Sequence, residues 1–347
     1  MPINHAFDFF IQWHLTERCN LNCKHCYQTG RKADEMSFPE IKEAVSEISE
    51  TIAEWKEAYD IDFSMSFNIT GGEPFLRKDL YEILAAISDK GFDIYLLTNG
   101  TIIDSSKARD LSGFGVKGVQ VSMEGPEEIH ESIRGKGSFT SSVRGIRNLL
   151  DEGMKVTLNV TLSELNSGCL TDLIGLSSEL GVQRLGFSRL VPSGRGETML
   201  SSMLSPEGVK NLYEELFSIK TNGLEIVTGD PVASQLSEKV EPNHNGSIPL
   251  GGCAAGISGI TILSDGTLMP CRRMNIAIGN IRKDSLREIW ATSEILGSLR
   301  AKSRYKGKCR DCKRWANCRG CRAIAYAYSR AMGEDDFLAE DPQCFIV

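Results

Sequence analysis

The sequence predicts an α/β protein in which a partial (β/α)6 TIM-like barrel is followed by a small, cysteine-rich α+β domain. Short apolar stretches alternate with helical periods from about residue 10 to 225. Polar stretches with glycine, TGGEP, TNG and SMEG, lie directly after predicted strands. Beyond about residue 250 the chain changes to a hairpin pattern and closely spaced cysteines.

Six stretches are predicted as strands because they are apolar and bounded by polar or glycine-containing sequence. In chain order they are FIQWHLT, IDFSMSFNIT, DIYLLTNG, KGVQVSME, KVTLNVTL and QRLGFSRL. Each is followed by helical sequence, which predicts a parallel sheet with right-handed crossovers. Such a sheet curves into a barrel or partial barrel, and the active site is expected at the carboxyl ends of its strands.

The helices between these strands are predicted from apolar residues spaced three and four apart. The first runs from Ile41 to Tyr59, and Ser37 and Glu40 form a capping box before it. The second, DLYEILAAISDKG, ends at Gly91.

The polar stretch 229–250 contains three prolines and is predicted to be a linker. The predicted order is an N-terminal extension (1–10), a core domain (11–228), this linker, and a C-terminal domain (251–347). In the C-terminal domain, ISGITILSDGTLMPC predicts a hairpin that turns at Asp265 and Gly266. DSLREIWATSEIL predicts one short amphipathic helix, and RAIAYAYSRAM a final helix.

The composition limits the classes of partner. A net charge of −7 argues against nucleic acid, because phosphate binding requires a basic surface. No apolar run approaches the ~20 residues of a membrane helix, and MPINHAFDFFIQWHL lacks the features of a signal peptide. We therefore expect a soluble, cytoplasmic protein with no nucleic-acid or membrane partner.

Eleven cysteines are many for a reducing compartment, where clustered thiols indicate metal binding or catalysis. A disulfide framework is the alternative, but it is typical of short secreted chains. Cys169 stands apart and is expected to be a free thiol without function. The five histidines form no HExxH motif, so nothing supports a zinc hydrolase.

The stretch HLTERCNLNCKHCYQTG places Cys19, Cys23 and Cys26 in a C-x3-C-x2-C pattern. Three thiolates can hold three irons of a [4Fe–4S] cluster and leave the fourth iron open to a ligand. The alternative is a structural zinc knuckle, either without its fourth ligand or with His25 supplying it.

This spacing, with the aromatic His25 before Cys26, resembles the signature of the radical SAM superfamily. The resemblance implies that the open iron chelates S-adenosylmethionine (SAM). One electron from the reduced cluster then cleaves SAM into methionine and a 5′-deoxyadenosyl radical, which abstracts hydrogen from the substrate.

Four further stretches resemble the SAM-binding positions of that superfamily. GGEP, after the second strand, implies contacts to the SAM amino group. SMEGPEEIHESIRGKGSF implies a serine and an arginine at the SAM carboxylate and an acidic group at the ribose. An asparagine on strand five and the backbone of RLVPSG are implied at the ribose and adenine. The implied residues are Gly71, Gly72, Glu73, Pro74, Ser122, Glu124, Arg134, Asn159, Leu190 and Val191.

The C-terminal cysteines closely resemble the SPASM domain, an extension that holds two auxiliary [4Fe–4S] clusters. The resemblance assigns an outer cluster to Cys309, Cys312, Cys318 and Cys344. It assigns an inner cluster to Cys253, Cys271 and Cys321, whose fourth position is open to a non-cysteine group or a substrate thiolate. Two structural zinc sites are the alternative, because C-x2-C pairs suit zinc.

The resemblance implies an oxidoreductase that most often modifies peptides or proteins, for instance by thioether formation. We expect a peptide or protein substrate, a ferredoxin or flavodoxin as electron donor, and an anaerobic source. Only about ten residues precede the first strand, so we expect no N-terminal peptide-recognition domain. CRGCRAIAYA and LAEDPQC are also similar to a subset that includes haem-pathway enzymes, which makes side-chain decarboxylation of an iron porphyrin the alternative. A maturase for a tungsten or molybdenum oxidoreductase and an iron–sulfur electron carrier are further alternatives.

Overall fold

The computed structural model describes residues 6–28, 30, 34–221, 223–236 and 248–346. Its ten strands are β1 (Phe7–His14), β2 (Phe63–Thr70), β3 (Asp93–Thr98), β4 (Gly118–Ser122), β5 (Val156–Leu162), β6 (Arg184–Arg189), β7 (Glu225–Thr228), β8 (Gly259–Ile262), β9 (Thr267–Met269) and β10 (Gly279–Asn280). Its helices are α1 (Phe38–Tyr59), α2 (Leu80–Ser88), α3 (Ser105–Gly113), α4 (Glu127–Arg134), α5 (Ser138–Asp151), α6 (Leu170–Leu180), α7 (Pro206–Ser218), α8 (Leu286–Thr292), α9 (Glu294–Arg300), α10 (Gly307–Asp311) and α11 (Arg322–Ala331).

The described strands form one sheet in the order β10-β9-β8-β1-β2-β3-β4-β5-β6-β7. Strands β1 to β7 pair in parallel with their neighbours in chain order. Because β10 and β7 stand at opposite ends of this order, the described strands form a partial barrel. The six predicted strands and the α/β class are confirmed.

Side chains alternate along the strands between a buried layer and the interior of the barrel. On β5, Val156, Leu158 and Val160 are fully buried in the main hydrophobic core. The alternate residues Asn159 and Thr161 line the barrel cavity instead. This period-two pattern places polar side chains in one interior space.

The first helix begins as the sequence predicts. The backbone N–H of Ser37 donates to the Glu40 carboxylate at 2.7 Å, and the predicted apolar face from Ile41 to Trp55 is buried. Tyr59 is 65% exposed, because the helix ends at this residue and the core does not reach it.

Three features differ from the predictions. A seventh parallel strand, β7, was not predicted, because its four residues are all at least partly exposed and show no alternation. The hairpin at Asp265 and Gly266 is present, but its first strand, β8, also pairs in parallel with β1 and so extends the barrel sheet. The single helix predicted from DSLREIWATSEIL is two helices, because Ser293 ends α8 and caps α9.

The predicted linker also needs revision. Pro231–Leu236 forms a 3₁₀ turn whose Val232 and Gln235 are buried, so this part of 229–250 packs into the protein. Residues 237–247 lie outside the described residues. Among the helices in the described ranges, none is both long and apolar enough to cross a membrane.

Candidate functional site

The three-cysteine loop lies between β1 and α1, at the carboxyl end of β1. Cys19 is exposed, Cys23 is buried and Cys26 is half-buried. All three line one cavity at the mouth of the barrel. The Lys24 backbone N–H donates to the carbonyl oxygen of Ile133 at 2.9 Å and ties the loop to α4.

The two glycines after β2 pack against the segment that leads into this loop. Gly71 has a φ of +149°, and a Cβ there would overlap the Thr16 carbonyl oxygen. A Cβ at Gly72 would overlap the carbonyl oxygen of Arg18. Both glycines line the cavity, so their lack of a side chain serves this close packing and exposes backbone to a ligand.

Glu73 lies behind the cavity wall and is fully buried. Its Oε1 accepts a hydrogen bond from Thr98 Oγ1 at 2.8 Å, and its Oε2 accepts one from the Asn99 backbone N–H at 3.0 Å. It is not among the residues that line the cavity. Burial raises the pKa of this carboxyl to about 7, against the effect of these hydrogen bonds. Pro74 is likewise buried, at the start of a 3₁₀ turn. In this structure both residues support the cavity wall.

Glu73→Gln tests this burial. The carboxyl keeps its proton up to about pH 7 in the folded protein but loses it near 4.5 when unfolded, so wild-type stability falls as pH rises between these values. Glutamine does not titrate. We therefore expect the stability of the variant relative to wild type to rise by about 3 kcal/mol from pH 4 to pH 8. Urea unfolding without SAM measures this difference, with exposed Glu82→Gln on α2 as the control. An equal difference at both pH values would contradict the prediction.

Glu124, implied at the ribose, is occupied by protein partners. It is fully buried, and its Oε1 accepts from Arg134 Nε at 2.8 Å and lies 3.0 Å from His25 Nε2. Its Oε2 accepts from the Thr161 backbone N–H at 2.8 Å. Burial would raise its pKa, but the charge of Arg134 holds the pKa below its ordinary value. Glu124 therefore holds Arg134 and His25 in place, and a role at the ribose does not fit this geometry.

Four of the remaining implied SAM contacts share the cavity with the cysteines. Ser122, Arg134, Asn159 and Val191 all line it, and Arg134 Nη1 is 3.8 Å from Cys23 Sγ. Leu190 does not line it, and the N–H of its backbone, which was implied as a ligand contact, donates to the Leu162 carbonyl oxygen at 2.9 Å.

Several residues that line the cavity were not predicted from the sequence. The Asn99 side chain donates to Asn20 Oδ1 at 3.0 Å and is 3.9 Å from Cys19 Sγ. Its position in the polar stretch TNG after a strand was the available signal. Arg195, Arg272 and Arg273 also line the cavity, and the pair CRR beside Cys271 is the signal for the last two.

A buried arginine joins the barrel to the C-terminal residues. Arg189, at the end of β6, is 1% exposed. Its Nη2 donates to Asp230 Oδ1 at 2.9 Å and to Asp341 Oδ2 at 2.8 Å, and its Nη1 donates to Gln343 Oε1 at 2.9 Å. Asp341 also accepts from the Cys321 backbone N–H at 2.7 Å. One side chain therefore connects the cavity wall to the C-terminal cysteine region.

The C-terminal cysteines fall into two spatial sets. The outer set, Cys309, Cys312, Cys318 and Cys344, lines a second cavity. The Gln235 side-chain amide lies 3.5 Å from Cys318 Sγ and 3.6 Å from Cys344 Sγ. Gln235 comes from the stretch predicted to be a linker, and no sequence signal marked it.

The inner set is Cys253, Cys271 and Cys321. Burial raises the pKa of Cys271 and of Cys321, and the charge of nearby Cys253 raises both further. Cys321 is adjacent to the Arg189 connection described above. Cys169 belongs to neither set and lies near Gly125.

The donor chemistry of these three sets fits iron–sulfur clusters, because each consists of thiols alone. Across the described ranges, no three His, Cys, Asp or Glu side chains form a group suited to a single metal ion. The residues that could hold clusters are Cys19, Cys23 and Cys26 at the barrel mouth, and the outer and inner sets in the C-terminal region.

Two family models match the chain. The model of the radical SAM superfamily matches residues 13–168. The SPASM model, described as an iron–sulfur cluster-binding domain, matches residues 253–313.

Curated relatives match almost the whole chain. An AdoMet-dependent heme synthase of Methanosarcina barkeri is 31% identical, with 96% of this chain and 95% of the relative covered. The Fe-coproporphyrin III synthase of the same organism is 28% identical, with 97% and 87% covered. The mycofactocin maturase MftC of Mycolicibacterium smegmatis is 28% identical, with 96% and 82% covered.

Solved structures share the fold at lower identity. SuiB of Streptococcus suis bound to S-adenosylmethionine has a TM-score of 0.73 at 16% identity, covering 97% of this chain and 75% of SuiB. The structure of anSMEcpe with bound AdoMet and a peptide has a TM-score of 0.71 at 22% identity, covering 97% and 94%.

Proposed function

Because the chain belongs to the radical SAM superfamily and carries a SPASM domain, we propose that it removes hydrogen from a side chain of a carboxylated iron tetrapyrrole. The protein is an enzyme whose cofactors are SAM and [4Fe–4S] clusters. When bound, these cofactors supply the 5′-deoxyadenosyl radical, with methionine as the other product of SAM cleavage.

The observation that carries this proposal is the convergence of two groups of residues on one cavity. The three thiols of Cys19, Cys23 and Cys26 lie beside the backbone of Gly71 and Gly72, so a cluster and SAM would share this space. We assign Arg134 to the SAM carboxylate, because Glu124 holds it beside Cys23. Ser122, Asn159 and Val191 line the same cavity from β4, β5 and the segment after β6, which supports their assignment as further SAM contacts.

The tetrapyrrole is proposed from the relatives that match nearly full length, two of which are named for heme and iron coproporphyrin. For decarboxylation of a propionate, one hydrogen atom goes to the deoxyadenosyl radical and one carbon dioxide is released. One electron must pass from the substrate to an acceptor, for which the auxiliary clusters are the candidates, and a vinyl group remains.

A peptide maturase is the second candidate. It is favoured by the mycofactocin maturase relative and by the inner set of three cysteines, where a substrate thiolate could complete the ligands. The electron donor is proposed to be a ferredoxin or flavodoxin. The outer cavity is lined by more basic than acidic side chains, four against two, and this excess would attract an acidic protein. The basic residues are Lys308, Lys313, Arg314 and Arg319, and the acidic ones are Asp311 and Asp341.

An anaerobic assay tests the choice of substrate. The reconstituted protein is incubated with SAM and dithionite, with and without iron coproporphyrin III. We expect deoxyadenosine formation to rise when the porphyrin is present, together with a porphyrin product that has lost carboxyl groups. Stimulation by a small cysteine-containing peptide encoded beside the gene, and none by the porphyrin, would favour the peptide maturase.

A further inference from the structure

The barrel cavity carries a strong excess of positive charge. Five arginines line it, and none of the described residues lining it is Asp or Glu. The chain as a whole has a net charge of −7, so the charge of the cavity lining is opposite in sign to that of the protein. The lining arginines are Arg134, Arg189, Arg195, Arg272 and Arg273.

Three of these arginines are already engaged. Arg134 binds Glu124 through Nε and Nη2, so only its Nη1, beside Cys23 Sγ, is left for the SAM carboxylate. Arg189 pairs with two buried aspartates. Arg195 donates to the Cys23 backbone carbonyl oxygen at 3.0 Å and so supports the cysteine loop. Arg272 and Arg273 remain, and neither has a carboxylate within ion-pair distance in the part of the chain that the structure describes.

The guanidinium of Arg272 packs against an aromatic side chain. The guanidinium lies over the Tyr27 ring, 5.6 Å from the centroid, and the Tyr27 hydroxyl is 3.3 Å from His14 Nε2. Burial, together with the charge of Arg272, lowers the pKa of His14 to about 3, so this imidazole is neutral. An aromatic ring therefore lies behind the guanidinium. Glu17 and Glu197 line a neighbouring cavity together with the two remaining arginines, but neither forms an ion pair with them among the described residues.

Arg273 adds a second positive charge at the same place. It follows Arg272 in a turn closed by the Met274 N–H on the Cys271 carbonyl oxygen at 2.9 Å, and its Nη2 donates to Ser188 Oγ at 3.3 Å. Two partly buried guanidiniums repel each other, and a buried charge without a partner is unfavourable. An anion bound by both would remove this cost, and a carboxylate matches the guanidinium fork.

We propose that Arg272 and Arg273 bind a carboxylate of the substrate and determine specificity for carboxylate-bearing molecules. The assignment rests on the proposed function. The single SAM carboxylate has its own partner in Arg134 beside Cys23, so this pair, on the side of the cavity formed by β6 and the turn after β9, serves the substrate.

The test uses the anaerobic holoenzyme and two probes, iron coproporphyrin III and its tetramethyl ester. Binding is followed by the visible absorbance shift for wild type, Arg272→Gln, Arg273→Gln and the double variant. Arg184→Gln is the control, because this arginine at the start of β6 is exposed, pairs with Glu225 and does not line the cavity. We expect each cavity variant to raise the Kd of the acid roughly tenfold or more. The ester should bind wild type weakly and be insensitive to the variants.

The alternative role for the pair is to neutralise charge near the neighbouring Cys271. Three measurements distinguish that role from substrate binding: the iron content, the electron paramagnetic resonance spectrum and the Kd of SAM. We expect all three to be unchanged in the variants. Equal binding of acid and ester by wild type would overturn the carboxylate role while leaving a tetrapyrrole substrate standing. Altered spectra with unchanged porphyrin Kd would assign the pair to the inner cysteine set. A wild type that binds neither probe would overturn both the tetrapyrrole substrate and this assignment.

Discussion

Replacement of Cys19, Cys23 and Cys26 by alanine is expected to abolish deoxyadenosine formation completely. These thiols are the cysteines that line the barrel cavity beside Gly71 and Gly72, so their loss removes the donors for the cluster that would cleave SAM. The reconstituted wild type should contain about twelve irons and the variant about eight, since each cluster holds four. Iron analysis and chromatographic quantification of deoxyadenosine, after addition of SAM and dithionite, measure both results.

Cys169→Ala is the matched control, because this cysteine lies outside all three sets. It should retain wild-type iron content and deoxyadenosine formation. Zinc in place of iron in the wild type would contradict the assignment and favour the structural zinc sites. So would a triple variant that still forms deoxyadenosine, or a fully loaded wild type that forms none.

Replacement of Arg189 by methionine is expected to reduce the free energy of unfolding by about 3–5 kcal/mol. Methionine fills similar space but leaves Asp230 and Asp341 buried without their shared partner, at 3% and 0% side-chain exposure. Asp341 also holds the Cys321 backbone, so we expect weaker retention of iron at the inner set. Urea unfolding and iron analysis, both anaerobic, measure the two effects.

Arg184→Met on the same strand is the control for this prediction. Its partner is Glu225, and the two side chains are 54% and 55% exposed, so the loss should stay within about 0.5 kcal/mol. Arg189→Lys keeps the charge, but lysine lacks the planar fork that reaches both aspartates. Its loss of unfolding free energy should lie between those of Arg184→Met and Arg189→Met. Equal losses of unfolding free energy for Arg184→Met and Arg189→Met would show that the buried ion pairs of Arg189 stabilise the protein no more than the exposed pair of Arg184.

The sequence predicted the parts of the fold that depend on local patterns. Alternating apolar stretches located β1 to β6, and the spacing of Cys19, Cys23 and Cys26 located the loop at the barrel mouth. The partners of Glu73 and Glu124 were not predictable in this way. Whether a loop carboxylate faces a ligand or a buried arginine depends on how separate strands pack, and only the assembled barrel determines that.

Long-range pairing explains the other differences. The association of β8 with β1, and the burial of Gln235 between Cys318 and Cys344, join residues that are distant in the chain. A polar, proline-containing stretch is typical of a linker, yet Asp230 and Gln235 in it contact buried groups. The composition of a segment gives only its average polarity, whereas a single buried contact is enough to hold the segment against the rest of the protein.

The pairing of β1 with β8 has a consequence for how the protein is made. Phe10 pairs with Gly259, about 250 residues later, so one edge of the first strand stays open during most of translation. At typical elongation rates this lasts on the order of tens of seconds. An unpaired edge rich in aromatic residues is a template for aggregation. The nascent chain should therefore depend on chaperones until its last third emerges from the ribosome, and slow folding is expected for a sheet closed across so long a loop.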